Sequence, residues 1–141
     1  MAKNTHNQKV GSDVVRSDSR IKETGEVFTP MHLVYEMIDN IPESKMVAGN
    51  TFMDNSCGCG NFLVGLKDRL INKFSISEDM VINHMLYGVD LMEDNVRETC
   101  KNLGITYPHP HFVVADGLRY HYRFDDSHPY DDEEILGVLP F

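Results

Sequence analysis

Three short apolar stretches each run into an aspartate: Thr51-Phe52-Met53-Asp54, Leu86-Tyr87-Gly88-Val89-Asp90 and His111-Phe112-Val113-Val114-Ala115-Asp116. Segments of helical periodicity separate them. Strands alternating with helices are joined by crossovers, and crossovers build a parallel sheet with helices on both faces. All strands of such a sheet finish on one edge. The pattern therefore predicts that Asp54, Asp90 and Asp116 open onto the same edge, where open α/β sheets hold their ligands.

The helical segments are marked by their punctuation. Thr29 is placed to cap a helix whose first turn holds Pro30, with Leu33, Val34, Met37, Ile38 and Ile41 on one face. Asn40-Ile41-Pro42 ends it, and Glu43–Asn50 reads as a loop. A second helix turns Phe62, Leu63, Leu66 and Leu70 inward. Ser77-Glu78-Asp79 opens a short one carrying Met80, Val81 and Met85, since serine caps and acids suit the positive helix end. A further helix spans Glu93 to Leu103, with Val96, Cys100 and Leu103 inward and Gly104 as its stop. The first half of Glu134-Ile135-Leu136-Gly137-Val138-Leu139-Pro140-Phe141 reads as a fourth strand.

The 141 residues suit one domain. Residues 25–141 form it behind a mobile polar arm, 1–24, with a short helix near Val14–Ile21. In that arm Lys3, Lys9, Arg16, Arg20 and Lys22 outnumber Asp13, Asp18 and Glu23, which fits either a solvated tail or a nucleic-acid arm. Elsewhere acids prevail. Thirteen Lys and Arg against 22 Asp and Glu give a net charge of −9. Overall charge therefore does not hold this chain to nucleic acid, and any DNA contact is local or borrowed from a partner. No apolar run approaches the ~18 residues of a membrane span, and MAKNTHNQKV lacks the apolar core of a signal peptide, so a cytoplasmic location is expected.

Cys57, Cys59 and Cys100 are too few, and odd in number, for a secreted disulfide scaffold. Cys57-Gly58-Cys59 is too tight for a zinc knuckle, and no second pair follows it, so no metal site is expected. The prolines of Tyr107-Pro108-His109-Pro110-His111 mark a loop.

Asn55-Ser56-Cys57-Gly58-Cys59-Gly60 is a glycine turn between a strand and a helix N-terminus. Glycine lets backbone approach a ligand closely, and a helix start attracts negative charge. Leu63 stands where G-x-G-x-x-G would place its last glycine, so the dinucleotide fingerprint is absent. Asp90 is positioned to accept from ribose hydroxyls, and Asp116 from an exocyclic amine, which describes an adenosine-shaped slot. Taken singly, each acid could equally be closing its own loop.

Together these residues resemble a known family. Asp54-Asn55-Ser56-Cys57-Gly58-Cys59-Gly60-Asn61-Phe62-Leu63 is similar to the D-P-A-C-G-S-G-N-F-L signature of S-adenosylmethionine-dependent DNA adenine-N6 methyltransferases. Gly25-Glu26-Val27-Phe28-Thr29-Pro30 resembles the G-x-x-[FY]-T-P segment of the subclass that includes type I modification subunits. Gly88-Val89-Asp90 and Val114-Ala115-Asp116-Gly117-Leu118 resemble the second and third cofactor motifs. The resemblance covers about residues 25–118 in the family's order. It implies a partial Rossmann-like class I methyltransferase fold, a parallel sheet of about four strands flanked by helices. It further implies that Thr29 and the loop Asp54, Ser56, Gly58, Gly60 and Asn61 hold the methionine part of S-adenosylmethionine. Asp90 would take the ribose, with Leu91 and Met92 flanking the adenine; Asp116 would meet the adenine amine, with Leu118 packing nearby.

Catalysis in that family rests on N-P-P-[YF] or D-P-P-[YF]. Its amide or carboxylate accepts from the target amine, and its ring stacks on the flipped base. Ile135-Leu136-Gly137-Val138-Leu139-Pro140-Phe141 resembles I-L-G-N-P-P-F, leaving Pro140 and Phe141 as the matching pair. Val138, which accepts no hydrogen bond, stands at the essential position. Ser127-His128-Pro129-Tyr130 is a poorer second candidate that also fits an ordinary turn. The family's further strands and target-recognition domain are not in this sequence, and Asp125, Asp126, Asp131, Asp132, Glu133 and Glu134 would repel phosphates. The expectation is a cofactor-binding domain that needs a partner for methyl transfer or lacks it. The alternatives are a non-catalytic interaction protein engaging a restriction–modification or DNA-processing partner, and an enzyme that breaks the cofactor down. A fourth strand left at the edge would expose Ile135, Leu136, Val138 and Leu139, which predicts a second copy or another protein covering it.

Overall fold

The computed structural model describes Arg16, Ser17, Arg20 and residues 28–120. Its sheet has three parallel strands in the order β1 (Phe52–Asp54), β2 (Leu86–Asp90), β3 (Phe112–Val114). In register, Phe52 faces Leu86 and Asp54 faces Gly88; Gly88 faces Phe112 and Asp90 faces Val114. The expected fourth strand, like Val138, Pro140, Phe141 and Ser127–Tyr130, lies outside the described residues.

The helices are α1 (Met31–Asp39), α2 (Asn61–Asn72), α3 (Glu78–Met80) and α4 (Glu93–Leu103). Leu63, Leu66 and Leu70 of α2 and Val96, Cys100 and Leu103 of α4 gather with Leu86 and Phe112 into one apolar core. Val89, Val113 and Ala115 form a smaller cluster, with Tyr120 packed against it. β2 is buried along its whole length, as its continuous apolar run requires of a central parallel strand. Gly65 lets α1 dock on α2, since a Cβ there would lie 2.7 Å from Val34 and 2.8 Å from Ile38.

Several local readings shift. Pro30, not Thr29, is the N-cap of α1, and its carbonyl accepts from the Leu33 and Val34 N–H groups at 3.1 Å. A residue before proline is held extended, so the helix cannot begin earlier. Leu33 and Met37 of the expected inner face are exposed, while Val34 and Ile38 are buried. The contact at Gly65 makes the stripe narrower than periodicity alone suggests. Thr51, His111 and Ala115 fall just outside their strands. His111 is instead a buried histidine: its Nδ1 lies 3.0 Å from the Leu86 carbonyl and its ring stacks on Tyr87 at 4.1 Å. Ser77 caps α3 as expected, its hydroxyl accepting from the Met80 N–H at 3.2 Å, and the chain continues through a π-helical turn, Val81–Met85. The three cysteines are buried free thiols, and burial pushes Cys57 well up and Cys100 to about 11.

Candidate functional site

The parallel register brings the three strand-end acids to one edge. Each closes its own turn in the same way. Oδ1 of Asp54 accepts from the Ser56 N–H at 3.0 Å, Oδ1 of Asp90 from the Met92 N–H at 2.9 Å, and Oδ1 of Asp116 from the Leu118 N–H at 2.9 Å. These are Asx turns, in which a short carboxylate reaches the backbone two residues on. The loop-closing reading of each acid is thus true of one oxygen.

The glycine turn is built around the middle acid. Gly58 has φ +55° and Gly60 φ +89°, the left-handed region that side chains resist. In that conformation the Gly58 N–H donates to Oδ2 of Asp90 at 2.9 Å, and the Cys57 N–H donates to the Val89 carbonyl at 2.9 Å. The turn therefore lies over the end of β2. Asn95 Nδ2 donates to Oδ1 of Asp90 at 3.0 Å. Three of the roughly four acceptor positions of that carboxylate are taken, which fixes its orientation. Asp54 sits nearby. Burial pushes its carboxyl above the ordinary range; the Ser56 N–H works against this, and the Asp90 charge adds to it.

Two cavities meet at Ser56. The first, about 360 Å³, is lined by Ser56, Asp90, Leu91, Met92, Asp116 and Leu118, with Asn55, Ala115 and Gly117 completing its walls. Leu118 is 91% exposed and Leu91 46%, so two apolar side chains stand open to solvent beside two acids. Gly117 permits the close wall on this side, because a Cβ there would lie 2.1 Å from the Asn55 carbonyl oxygen. The second cavity, about 230 Å³, is lined by Thr29, Asp54, Ser56, Gly58 and Asn61, with Phe28, Cys57 and Phe62 among its other walls. Asn61 Nδ2 donates to the Thr29 carbonyl at 3.0 Å and ties the two chain segments together. Gly60 lines neither cavity. It lies beneath the turn, where its N–H donates to the Cys57 carbonyl at 2.8 Å. Apolar plates, acceptor oxygens and a size within the range of cofactor clefts suit a nucleoside in the first cavity, with a polar tail in the second.

The structure adds residues that the sequence reading did not single out. Thr99 Oγ1 donates to the Gly58 carbonyl at 2.9 Å, and Asn102 Nδ2 to the Cys59 carbonyl at 2.9 Å. With Asn95 they form a polar line on α4 at helical spacing, beside its apolar stripe. The spacing was visible in the sequence, but not that it faced the glycine turn. Arg20 forms a bidentate pair with Asp94, one bond at 2.9 Å and the other, from Nη1 to Oδ2, shorter. Arg16 donates to Asn95 Oδ1. Arg20 holds the Asp94 carboxyl below the usual range, and Arg16 contributes to the same shift. Among the described residues no three His, Cys, Asp or Glu side chains converge as metal ligands would. No described helix is long and apolar enough to cross a membrane.

A family model described as N-6 DNA methylase matches residues 16–128. No curated protein and no solved structure matches the chain.

Proposed function

The chain belongs to the N-6 DNA methylase family, and from that premise we propose that its two joined cavities bind S-adenosylmethionine. The described sheet and helices are consistent with a partial Rossmann-like methyltransferase fold. The observation that carries the cofactor reading is the meeting of an acid-and-leucine cleft with a glycine-turn cavity at one residue, Ser56.

Each residue has a role there that its chemistry fits. Asp90 presents its remaining acceptor position to a ribose hydroxyl. Leu91, Met92 and Leu118 supply apolar surface to the adenine, and Asp116 accepts from the adenine amine. Thr29, Asp54, Ser56, Gly58 and Asn61 enclose the methionine tail, with the Asp54 carboxylate suited to its ammonium group. Gly60 holds the turn in shape. When bound, S-adenosylmethionine supplies an electrophilic methyl group.

The same proposal includes a limit. Val138 occupies the position where the family's catalytic Asn or Asp accepts from the target amine, and only Pro140 and Phe141 of that motif are retained. The chain therefore binds the cofactor and depends on a partner for methyl transfer to adenine, or carries out none. Val138 favours a second reading, in which the domain serves a restriction–modification or other DNA-processing assembly in the cytoplasm as a non-catalytic member. Tritiated S-adenosylmethionine and adenine-containing DNA test the proposal. Purified chain alone is expected to leave the DNA unlabelled. Strong labelling would overturn the weight given to Val138.

A further inference from the structure

Asp90 is held by Asn95, and Asn95 is held from outside the sheet. Its side chain is 0% exposed. An asparagine amide can turn over and exchange its oxygen for its nitrogen, but not here. A carboxylate only accepts, so Nδ2 must face Asp90. A guanidinium only donates, so Oδ1 must face Arg16, with Arg20 Nη2 donating to the same oxygen at 3.4 Å. Arg16 reaches the other side of the site as well. Its guanidinium lies over the Phe28 ring, 5.3 Å from the centroid. That ring packs against Gly58, where a Cβ would be 2.9 Å from it. Gly58 in turn donates to the second oxygen of Asp90.

We propose that Arg16 is a positioning residue for the ribose acid: it locks the Asn95 amide, backs the Phe28 ring against the glycine turn, and so sets the Asp90 carboxylate from both sides. The inference rests on the cofactor reading above and extends it to a residue that lines neither cavity itself. Occupancy of the ribose position and the contacts of the Arg16 guanidinium are then coupled, each favouring the other.

Titration calorimetry of the full chain with S-adenosylhomocysteine and with its 2′,3′-dideoxy analogue separates this role from general support of the fold. Wild type is expected to prefer the ligand with both hydroxyls. R16A is expected to bind that ligand about tenfold more weakly, the loss typical of one charge-assisted hydrogen bond, with a clearly smaller loss for the analogue, which lacks the hydroxyls that Asp90 accepts from. R16K retains the charge but not the fork and should fall between; it also supplies the measurement if R16A does not fold. Thermal melts without ligand identify any variant that does not fold. Wild-type affinity and preference in R16A would overturn the positioning role, as would an equal loss for both ligands. Failure of wild type to bind either ligand would overturn the cofactor reading itself, and this inference with it.

Discussion

Asp54, Asp90 and Asp116 share one local habit and differ in their second oxygen. Asp90 spends it on the Gly58 N–H, and in Asp116 it lies 3.8 Å from Arg119. The strand-end acids and the glycine turn were legible in the sequence because Asx turns and left-handed glycines are local events. The bond from Gly58 to Asp90 joins residues 32 apart and was not. Asp54 yields a prediction of definite sign. Its folded value stands above the ordinary 3.8, chiefly through burial. The proton therefore stabilises the fold, a contribution that is full below the unfolded value and lost as pH rises through the folded one. At neutral pH the charged side chain is a burden. Asp54→Asn keeps an oxygen for the Ser56 N–H, so its melting midpoint should exceed wild type at pH 7 and lose that advantage below about pH 4. A variant less stable than wild type at pH 7 would contradict this account of Asp54.

At the scale of elements, β2 and α4 have the bounds that the sequence predicts, Leu86–Asp90 and Glu93–Leu103. Their signals are local: a continuous apolar run ending in an acid, and a periodic stripe ending at Gly104, whose φ is 75°. The buried face of α1 is narrower than its periodicity predicts, because the width of a buried stripe depends on the neighbouring helix. The polar line of α4 was invisible for a related reason. Asn95, Thr99 and Asn102 look like solvent-facing residues until the glycine turn is laid against them. That contact predicts that Thr99→Val, which removes the hydroxyl donor to Gly58, lowers stability by about 1–2 kcal/mol in urea unfolding. An unchanged midpoint would show that α4 does not brace the turn through Thr99.

On the scale of the whole molecule, membership of the N-6 DNA methylase family and a net charge of −9 pull in different directions. A methylase must approach a polyanion, whereas this chain repels one on average. A partner that supplies the DNA contact, together with the valine at position 138, reconciles the two within the proposed reading. Family and fold class were legible because their motifs fall in order along the chain, while the interlocking of turn, ring and arginine around Asp90 needed three-dimensional neighbours. The claim on which the rest depends is that the paired cavities take S-adenosylmethionine with Asp90 at the ribose. Equilibrium dialysis of labelled S-adenosylmethionine against wild type and Asp90→Ala tests it directly. Saturable retention by wild type, weakened about tenfold or more in Asp90→Ala, is the predicted result. No retention by the folded wild type, or equal retention by the two proteins, would contradict it.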